Sequence, residues 1–318
     1  MKPTIKDVAR LAGTSTGTVS RVLNRHPAVA ATTRARVEAA IEQLGFQADL
    51  SARTLAKARR TVALVQPFDA DYRPFYAQLT RAFLRNTDAQ GWRNIQIFPD
   101  EVLGSRADSV VFLRDDVPER TLERLLARRL PVAVMGYSDH VPYVCTKDEE
   151  GIASSTRLLR DTGHWRIAYL GWVVYPDGSY SPRGRGYERV IAEPPALHEP
   201  IFLGGDHTPL DAYRAVTKAW SRRDRFDGLV CSTDEAALGA LAALEDLNVR
   251  VPGEVSVVGF DGLQGLPRVV TTVAQDFAAL AGGALELVGE EASIRSSREH
   301  WVEARLVRPT TTVGQRLW

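Results

Sequence analysis

The feature that most constrains the fold is a pair of short amphipathic segments within the first 24 residues, joined at Gly13. Thr4 and Asp7 have the spacing of a capping box that starts a first helix, and Ser15 is placed as the N-cap of a second. Apolar residues recur in both segments at the spacing of one helical face: Ile5, Val8, Ala9, Ala12, Val19, Val22 and Leu23. Two short helices with a tight turn and a shared core are typical of a helix-turn-helix, whose second helix enters the major groove of DNA.

The second segment leaves small, polar or cationic side chains opposite this core, where a recognition helix presents residues to base edges. Thr16 and Gly17 are too small for the bidentate base contacts that Arg, Asn and Gln make, so Arg21 is the long side chain best placed to distinguish bases. The residues of this head that we expect to contact DNA are Thr4, Ser15, Thr16, Gly17, Thr18, Ser20, Arg21, Asn24 and Arg34.

The charge of the chain is unevenly distributed. Residues 1–60 carry eleven Lys or Arg against four Asp or Glu, a net charge of +7, whereas the whole chain has a net charge of +1, so residues 61–318 carry the difference, −6. Positive charge concentrated in the head is what binding to DNA phosphates requires. The alternative is an ordinary solvated helical face, but the charge coincides with the helix-turn-helix pattern, which favours DNA.

A third helix is predicted over residues 32–44, because apolar residues recur at i, i+3, i+4 and i+7 from Val37. With this helix, residues 4–24 and 33–46 resemble the DNA-binding head of the lactose-repressor (LacI/GalR-type) family of bacterial transcription regulators. The resemblance implies a three-helix head at the N-terminus of a two-domain regulator.

Residues 51–56, with the sequence SARTLA, resemble the hinge helix of the same family. The resemblance implies that Arg53, Leu55 and Lys57 contact DNA and that Leu55 wedges into the minor groove, which unstacks a base step and bends the duplex. The alternative for Leu55 is an ordinary apolar residue of a linker.

The rest of the chain alternates short apolar segments with amphipathic ones, which predicts an α/β domain with parallel sheets covered by helices on both faces. The predicted strands are 62–65, 95–98, 109–113, 132–135, 167–170, 229–231 and 255–259. The predicted helices are 75–89, 119–128, 150–162, 184–191, 211–220 and 235–247.

Motifs in this body carry the same family resemblance. They are GHWRIA at 163–168, Arg183 with Gly186-Tyr187, VPGEVSVVGFD at 251–261 and TTVAQ at 271–275. The resemblance implies a two-lobed effector domain of the periplasmic-binding-protein kind. We place the helix-turn-helix DNA-binding domain at 1–49, the hinge helix and linker at 50–60, and the effector-binding and dimerisation domain at 61–318.

One connection in the body is unusually short. Only about nine residues separate the predicted strand that ends near Pro99 from the strand that starts at Ser109, whereas a parallel connection needs about a dozen or more and usually contains a helix. We therefore expect the helix that the family has here to be lost or reduced to a turn. The first lobe would then be thinner on a face that the family uses near its dimer contact.

The resemblance places a ligand in the cleft between the lobes, at the carboxyl ends of the strands. It implies an effector-binding set of Phe75, Asp139, Arg183, His207, Thr233, Asp261 and Gln275. This set suits a polyhydroxylated molecule such as a sugar, but the fork of Arg183 would equally bind a carboxylate or phosphate. Phe75 is alternatively a core residue, and Arg183 alternatively pairs with Glu188. Asp234 is expected to be a helix N-cap.

The sequence predicts a sequence-specific transcription regulator, a repressor, whose affinity for double-stranded operator DNA is controlled by a small molecule. We expect a cytoplasmic homodimer without cofactor, metal or membrane partner, because no signal peptide, long apolar run or lipidation motif is visible and Cys145 and Cys231 are interpreted as reduced core residues. A solute-binding protein would have no use for the cationic head. An enzyme is disfavoured because no nucleophile–base pair, phosphate loop or metal set stands out. A regulator without a true effector is the remaining alternative.

Overall fold

The computed structural model describes residues 3–23, 29–46, 60–68, 73–114, 117–175, 178–205, 207–289, 299–307 and 312–315. The chain divides into two compact units. One comprises residues 1–61 with 90–93, and the other comprises residues 62–89 with 94–318. The first unit contains the head and the second contains two α/β lobes.

The head consists of three helices around a small apolar core. The helices are α1 (Ile5–Leu11), α2 (Thr16–Leu23) and α3 (Ala31–Leu44). The residues predicted for the apolar face form this core together with Val37 and Ala40 of α3. Gly13 has a φ of +61°, a left-handed conformation that suits glycine and ends α1. These findings confirm the helix-turn-helix and the third helix. Of the predicted DNA-contacting residues, Asn24, Arg53, Leu55 and Lys57 lie outside the described residues.

In the described part of the remaining chain, helices and strands largely alternate. The predicted ones are present, together with five strands and one helix that the pattern did not predict. The helices are α4 (Pro74–Gln90), α5 (Glu119–Ala127), α6 (Asp148–Asp161), α7 (Pro182–Ala192), α8 (Pro209–Ser221), α9 (Asp234–Asp246) and α10 (Phe277–Gly289). The strands are β1 (Thr61–Val65), β2 (Arg93–Ile97), β3 (Ser109–Phe112), β4 (Val132–Met135), β5 (Tyr143–Thr146), β6 (Ile167–Leu170), β7 (Ile201–Phe202), β8 (Gly228–Cys231), β9 (Ser256–Asp261), β10 (Thr271–Ala274), β11 (Glu299–Val302) and β12 (Arg305–Val307).

Each lobe is built on one six-stranded sheet. The strand order is β11-β5-β4-β3-β1-β2 in the first lobe and β12-β10-β9-β8-β6-β7 in the second. The described strand pairs are parallel, apart from the antiparallel pair of β10 and β12. Because the strands are parallel, their carboxyl ends gather at one edge of each sheet, and the loops that follow them meet there.

Within the described residues, the chain passes between the lobes three times, after β5, after β10 and after β11. After the second crossing, α10 packs against β3, β4 and β5 of the first lobe. Side chains join the crossings to one another: the hydroxyl of Thr146 donates to Gln275 Oε1 at 2.5 Å, and Lys147 forms an ion pair with Glu303. The crossings are therefore linked into one hinge.

The short connection after β2 contains a single 3-10 turn over Val102–Gly104 in place of a helix, as the spacing predicts. Val102 is buried in the core of the first lobe, and the guanidinium of Arg128 donates to the carbonyl of Leu103 at 2.7 Å. The turn is thus packed into the lobe. Among the described helices, none is long and apolar enough to cross a membrane.

Candidate functional site

Hydrogen bonds fix the starts of the first two helices of the head. The carboxylate of Asp7 accepts from the backbone N–H of Thr4 at 2.9 Å and from its hydroxyl at 2.6 Å. These bonds hold the pKa of Asp7 below its usual value. Ser15 Oγ accepts from the backbone N–H of Thr18 at 3.1 Å. The predicted capping roles of Thr4 and Ser15 are confirmed, and both hydroxyls help to hold the turn in shape.

The outer surface of α2 presents small side chains and one long cation. Thr16, Gly17 and Arg21 are exposed, whereas Thr18 and Arg34 are half-buried. Because the opposite face of α2 is buried in the core of the head, this surface is available to a groove of DNA.

In the body, the central side chain of the candidate effector site is Arg183, in the first turn of α7. Its Nε donates to Asp148 Oδ2 at 3.0 Å and its Nη2 donates to Asp148 Oδ1 at 3.2 Å, a bidentate ion pair. Burial lowers the pKa of Arg183, but the carboxylates of Asp148 and Asp261 outweigh this and raise it above its usual value. The alternative pairing of Arg183 with Glu188 is wrong, since Asp148 takes that place.

The other side of the same guanidinium faces the ends of two strands of the second lobe. Nη1 donates to the carbonyl of Ser232 at 2.5 Å and lies 3.9 Å from Asp261 Oδ1. The guanidinium also lies over the ring of Phe260, 4.1 Å from its centroid, a cation–π contact. Arg183 therefore joins α6, the end of β8 and the end of β9.

Asp261 ends β9 and is almost completely buried. Its Oδ1 accepts from Gln275 Nε2 at 2.7 Å, while its Oδ2 has no hydrogen-bond partner among the described residues. Its φ of +120° is unusual for a residue with a side chain. Burial raises the pKa of Asp261 well above its usual value, and the nearby Asp234 raises it further, although Arg183 lowers it. A buried acceptor without a partner is a place where a ligand hydroxyl would be stabilised.

The expectation for Asp234 is wrong. Thr233 is the N-cap of α9, since its Oγ1 accepts from the backbone N–H of Ala236 at 3.0 Å. Asp234 is instead buried, and its carboxylate accepts from Leu263 N at 2.8 Å and from Thr272 Oγ1 at 2.6 Å. Burial raises the pKa of Asp234 to about 6 despite these hydrogen bonds.

The predicted effector residues divide into two groups. The structure brings Arg183, Asp261 and Gln275 together at the carboxyl edge of the second sheet. His207 and Thr233 lie beside them, because His207 Nδ1 is 3.0 Å from Ser232 Oγ and the Thr233 hydroxyl donates to the His207 carbonyl at 3.4 Å.

Phe75 and Asp139 belong to the first lobe. Phe75 is half-buried in α4, with its ring 5.6 Å from the ring of Phe277 at the start of α10. Asp139 is exposed and accepts from the hydroxyl of Tyr137 at 2.5 Å in the loop after β4. The hydrogen bonds of the described residues thus join Asp139 to its own loop and not to Arg183.

Residues that sequence reasoning missed complete the cluster: Asp148, Ser232 and Thr146. Thr146 is the last residue of β5, a strand that the apolar pattern did not predict, and Asp148 follows it at the first crossing. Ser232 acts through its backbone carbonyl, which any residue supplies. Among the described residues, no group of three or more His, Cys, Asp or Glu side chains is arranged to hold a metal ion, and Cys145 and Cys231 are free thiols.

Polar contacts also join the two lobes directly. Arg73 Nη2 lies 3.6 Å from Glu235 Oε2. Gln78 of α4 and Gln264 of the loop after β9 exchange two hydrogen bonds, of 3.3 Å and 3.2 Å. Since both pairs reach from the first lobe to the second, they respond to any change in the angle between the lobes.

The raised pKa of Asp261 predicts how stability depends on pH. At a pH below the ordinary value of 3.8, the carboxyl is protonated in the folded and unfolded chains alike. As the pH rises toward the higher folded-state pKa, the unfolded chain releases a proton that the folded chain holds, and the folded state loses stability. Asp261→Asn removes this loss. We expect the difference in free energy of unfolding between Asp261→Asn and wild type, measured in urea, to grow in favour of the variant from pH 4.5 to pH 8.

The exposed Asp139→Asn is the control for this comparison. Its effect on stability should stay within about 0.5 kcal/mol at either pH, as for most surface substitutions. A pH-independent difference between Asp261→Asn and wild type would contradict the titration of this carboxyl.

Comparison with known proteins identifies the family. Residues 4–49 match bacterial regulatory proteins of the lacI family, and residues 156–313 match a periplasmic binding protein-like domain. The HTH-type transcriptional regulator GalR of Escherichia coli (strain K12) is 30% identical over 307 residues, which cover 89% of this chain and 88% of GalR. The chain belongs to the LacI family. It is therefore a transcription regulator and not an enzyme.

Solved structures of LacI-type regulators have the same fold. The transcriptional regulator CelR in complex with cellobiose is 25% identical, with a TM-score of 0.67 over 98% of this chain and 100% of its own. A lac repressor dimer bound to operator and the anti-inducer ONPF is 24% identical, with a TM-score of 0.68 over 99% and 100%. The predicted fold class, a helix-turn-helix head followed by a periplasmic-binding-protein-like body with parallel sheets, is confirmed.

Proposed function

We propose that this chain is a cytoplasmic repressor that binds operator DNA as a homodimer and releases or engages it when a small hydroxylated molecule binds between the lobes. The observation that carries the proposal is the cluster of Arg183, Asp261 and Gln275 beside the hinge. A ligand there touches side chains that are bonded to the crossings, so occupancy of the cleft and the angle between the lobes are coupled. The cellobiose complex of the similar CelR supports a hydroxylated ligand.

The head supplies the DNA-binding part of the proposal. One α2 surface with two small residues and Arg21 makes too few base contacts to select an operator alone, so two heads on a pseudo-palindrome are needed. The lac repressor structure, a dimer on its operator, supports this arrangement. We assign phosphate or base contacts to the nine predicted residues of the head. In the hinge, we assign the minor-groove contact to Leu55 and flanking DNA contacts to Arg53 and Lys57. The domain boundaries proposed are 1–49, 50–60 and 61–318.

The switch follows from the links at the hinge. Gln275 donates to Asp261 and accepts from Thr146 at the first crossing, while Arg183 holds Asp148, two residues further along. A ligand hydroxyl that donates a hydrogen bond to Asp261 Oδ2 would stabilise one arrangement of these hinge residues, and with it one angle between the lobes, relative to another. To move operator occupancy across its range, the ligand must favour one lobe angle by several kcal/mol, roughly 5.5 for a shift from 1:99 to 99:1.

Selection of bound duplexes from a random pool tests the proposed function. The full-length protein should enrich a pseudo-palindromic sequence, and sedimentation of the complex should give two chains per duplex. Enrichment of no sequence, or a complex with one chain per duplex, would contradict the proposal.

Arg21→Ala tests the base-reading role in the head. We expect it to weaken binding to the selected operator by about 1–3 kcal/mol and to relax base preference at one position per half-site. Arg36→Ala on the exposed surface of α3 is a control of the same residue type, and it should leave base preference unchanged. An equal loss on operator and random DNA for Arg21→Ala would show that Arg21 contacts phosphate only.

A further inference from the structure

The fork of Arg183 is already filled by a carboxylate of the chain itself. Nε and Nη2 bind the two oxygens of Asp148 at 3.0 Å and 3.2 Å. This parallel pair of bonds is the geometry by which arginine recognises a carboxylate or phosphate ligand. Nη1 donates to the Ser232 carbonyl, and the Nε–Nη2 fork of this guanidinium is therefore not vacant for a bidentate anion.

The local charge also opposes an anion. Arg183 lies against two carboxyl groups, those of Asp148 and Asp261, and the carboxyl of Asp234 lies near Asp261, after the neighbouring strand. An incoming carboxylate or phosphate would have to displace Asp148 from the guanidinium. It would then lie close to the displaced carboxyl of Asp148 and to the buried carboxyls of Asp261 and Asp234. Like charges at such short range disfavour one another strongly in a site of low dielectric constant.

The fold holds Asp148 in this position. Asp148 is the first residue of α6, where the positive end of the helix dipole favours a carboxylate. The starts of α6 and α7 are in close contact, because a Cβ on Gly186 would lie only 2.2 Å from the carbonyl oxygen of Glu149. The backbone next to Asp148 is therefore packed closely against the helix that carries Arg183.

The site still offers a ligand a buried hydrogen-bond acceptor, which suits an uncharged hydroxyl group. Asp261 Oδ2 is buried without a hydrogen-bond partner among the described residues, and a ligand O–H satisfies such an atom without bringing a charge into the site. We propose that Asp148 is a specificity-determining residue: it occupies the Arg183 fork and thereby excludes carboxylate and phosphate ligands, leaving the cleft to uncharged hydroxylated molecules. This inference rests on the proposed effector function of the cleft.

Inorganic phosphate is the probe that tests this exclusion, by calorimetric titration of the full-length protein at constant ionic strength. Asp148→Asn keeps the shape of the side chain but removes its charge and one acceptor oxygen. We expect this variant to bind phosphate at least tenfold more tightly than wild type. Glu150→Gln removes a charge from the same first turn of α6 at an exposed position, and it should bind phosphate as wild type does.

The double variant Asp148→Asn with Arg183→Gln separates this site from the cationic head, which all the proteins share. The gained affinity should disappear in it. A folded Asp148→Asn variant, judged by circular dichroism, that gains no phosphate affinity would overturn the proposal. So would phosphate binding by wild type that is lost in an Arg183→Gln variant shown by circular dichroism to be folded, a comparison that does not depend on Asp148→Asn.

The titration contains no DNA, so its outcome is separate from that of the operator selection. A chain that selects no operator yet gains phosphate affinity in Asp148→Asn would refute the proposed function and leave the role of Asp148 intact.

Discussion

Arg183→Ala is expected to lower the free energy of unfolding of the body by about 3–5 kcal/mol, the usual cost of removing one partner of a buried ion pair. The side chain of Arg183 is 13% exposed and binds Asp148, with Asp261 3.9 Å away. Without it, both carboxyl groups lose their cation, and the carbonyl of Ser232 loses a charged donor. Urea unfolding at pH 7 measures the loss.

Arg189→Ala is the matched control, because Arg189 lies on the same helix and pairs with Glu149 at 2.8 Å but has a side chain that is 43% exposed. A surface pair of this kind contributes about 0.2–1 kcal/mol. Equal stability of the two variants would show that Arg183 does not hold the cluster together. The sequence alone indicates that Arg183 is a ligand contact; its bonds to three segments of the chain make it structural as well.

Gly186→Ala is expected to destabilise the body by about 3 kcal/mol or more, since an added Cβ would force α7 away from α6. The added atom would lie 2.2 Å from the carbonyl oxygen of Glu149, a backbone atom that cannot rotate away. The same displacement would separate Arg183 from Asp148. We therefore expect Gly186→Ala to unfold at a lower urea concentration than wild type. In its folded state, it should bind phosphate more tightly than wild type does.

Gly282→Ala provides the comparison within a helix that has room. The nearest atom to its added Cβ is Asn86 Oδ1 at 3.6 Å, so alanine should stabilise α10 by up to about 1 kcal/mol. If Gly186→Ala were as stable as Gly282→Ala, the close contact between α6 and α7 would not constrain the site.

The sequence predicts best where a periodic pattern and a local signal agree. In the head, the helix starts predicted from the apolar spacing agree with those predicted from the capping residues, the Thr4–Asp7 pair and Ser15. Both predicted helix starts are confirmed. In the body, the buried strands β1, β3, β4, β6, β8 and β9 have continuous apolar runs that are typical of parallel sheets.

Other elements carry no such signal. The strands β5, β10, β11 and β12 have three or four residues each and mix polar with apolar side chains, as in Glu299–Val302. The strand β7 has only two residues, too few for a pattern. The helix α10 is apolar on all sides and contains two adjacent glycines, so it shows no amphipathic period. These elements are formed by tertiary packing, which a local pattern does not reveal.

The same limit explains which site residues were predicted. Arg183, Asp261 and Gln275 stand in recognisable motifs, and the register of β9 with β10 brings the last two together, with Asp261 opposite Ala274. Asp148 follows a strand that has no signal, so its pairing with Arg183 was not predicted. Asp234 and Thr233 are adjacent residues that both suit an N-cap, and only burial against Thr272 and Leu263 decides between them.

The most direct measurement of the central claim is the affinity of the full-length protein for its selected operator in the presence of a panel of uncharged hydroxylated compounds and their phosphorylated or carboxylated counterparts. At least one uncharged compound should change the operator Kd tenfold or more, its anionic counterpart should not, and Asp261→Asn should remove the response while still binding operator. An operator Kd that no uncharged compound changes, or a response that persists with the same midpoint in Asp261→Asn, would contradict a switch built on this cleft.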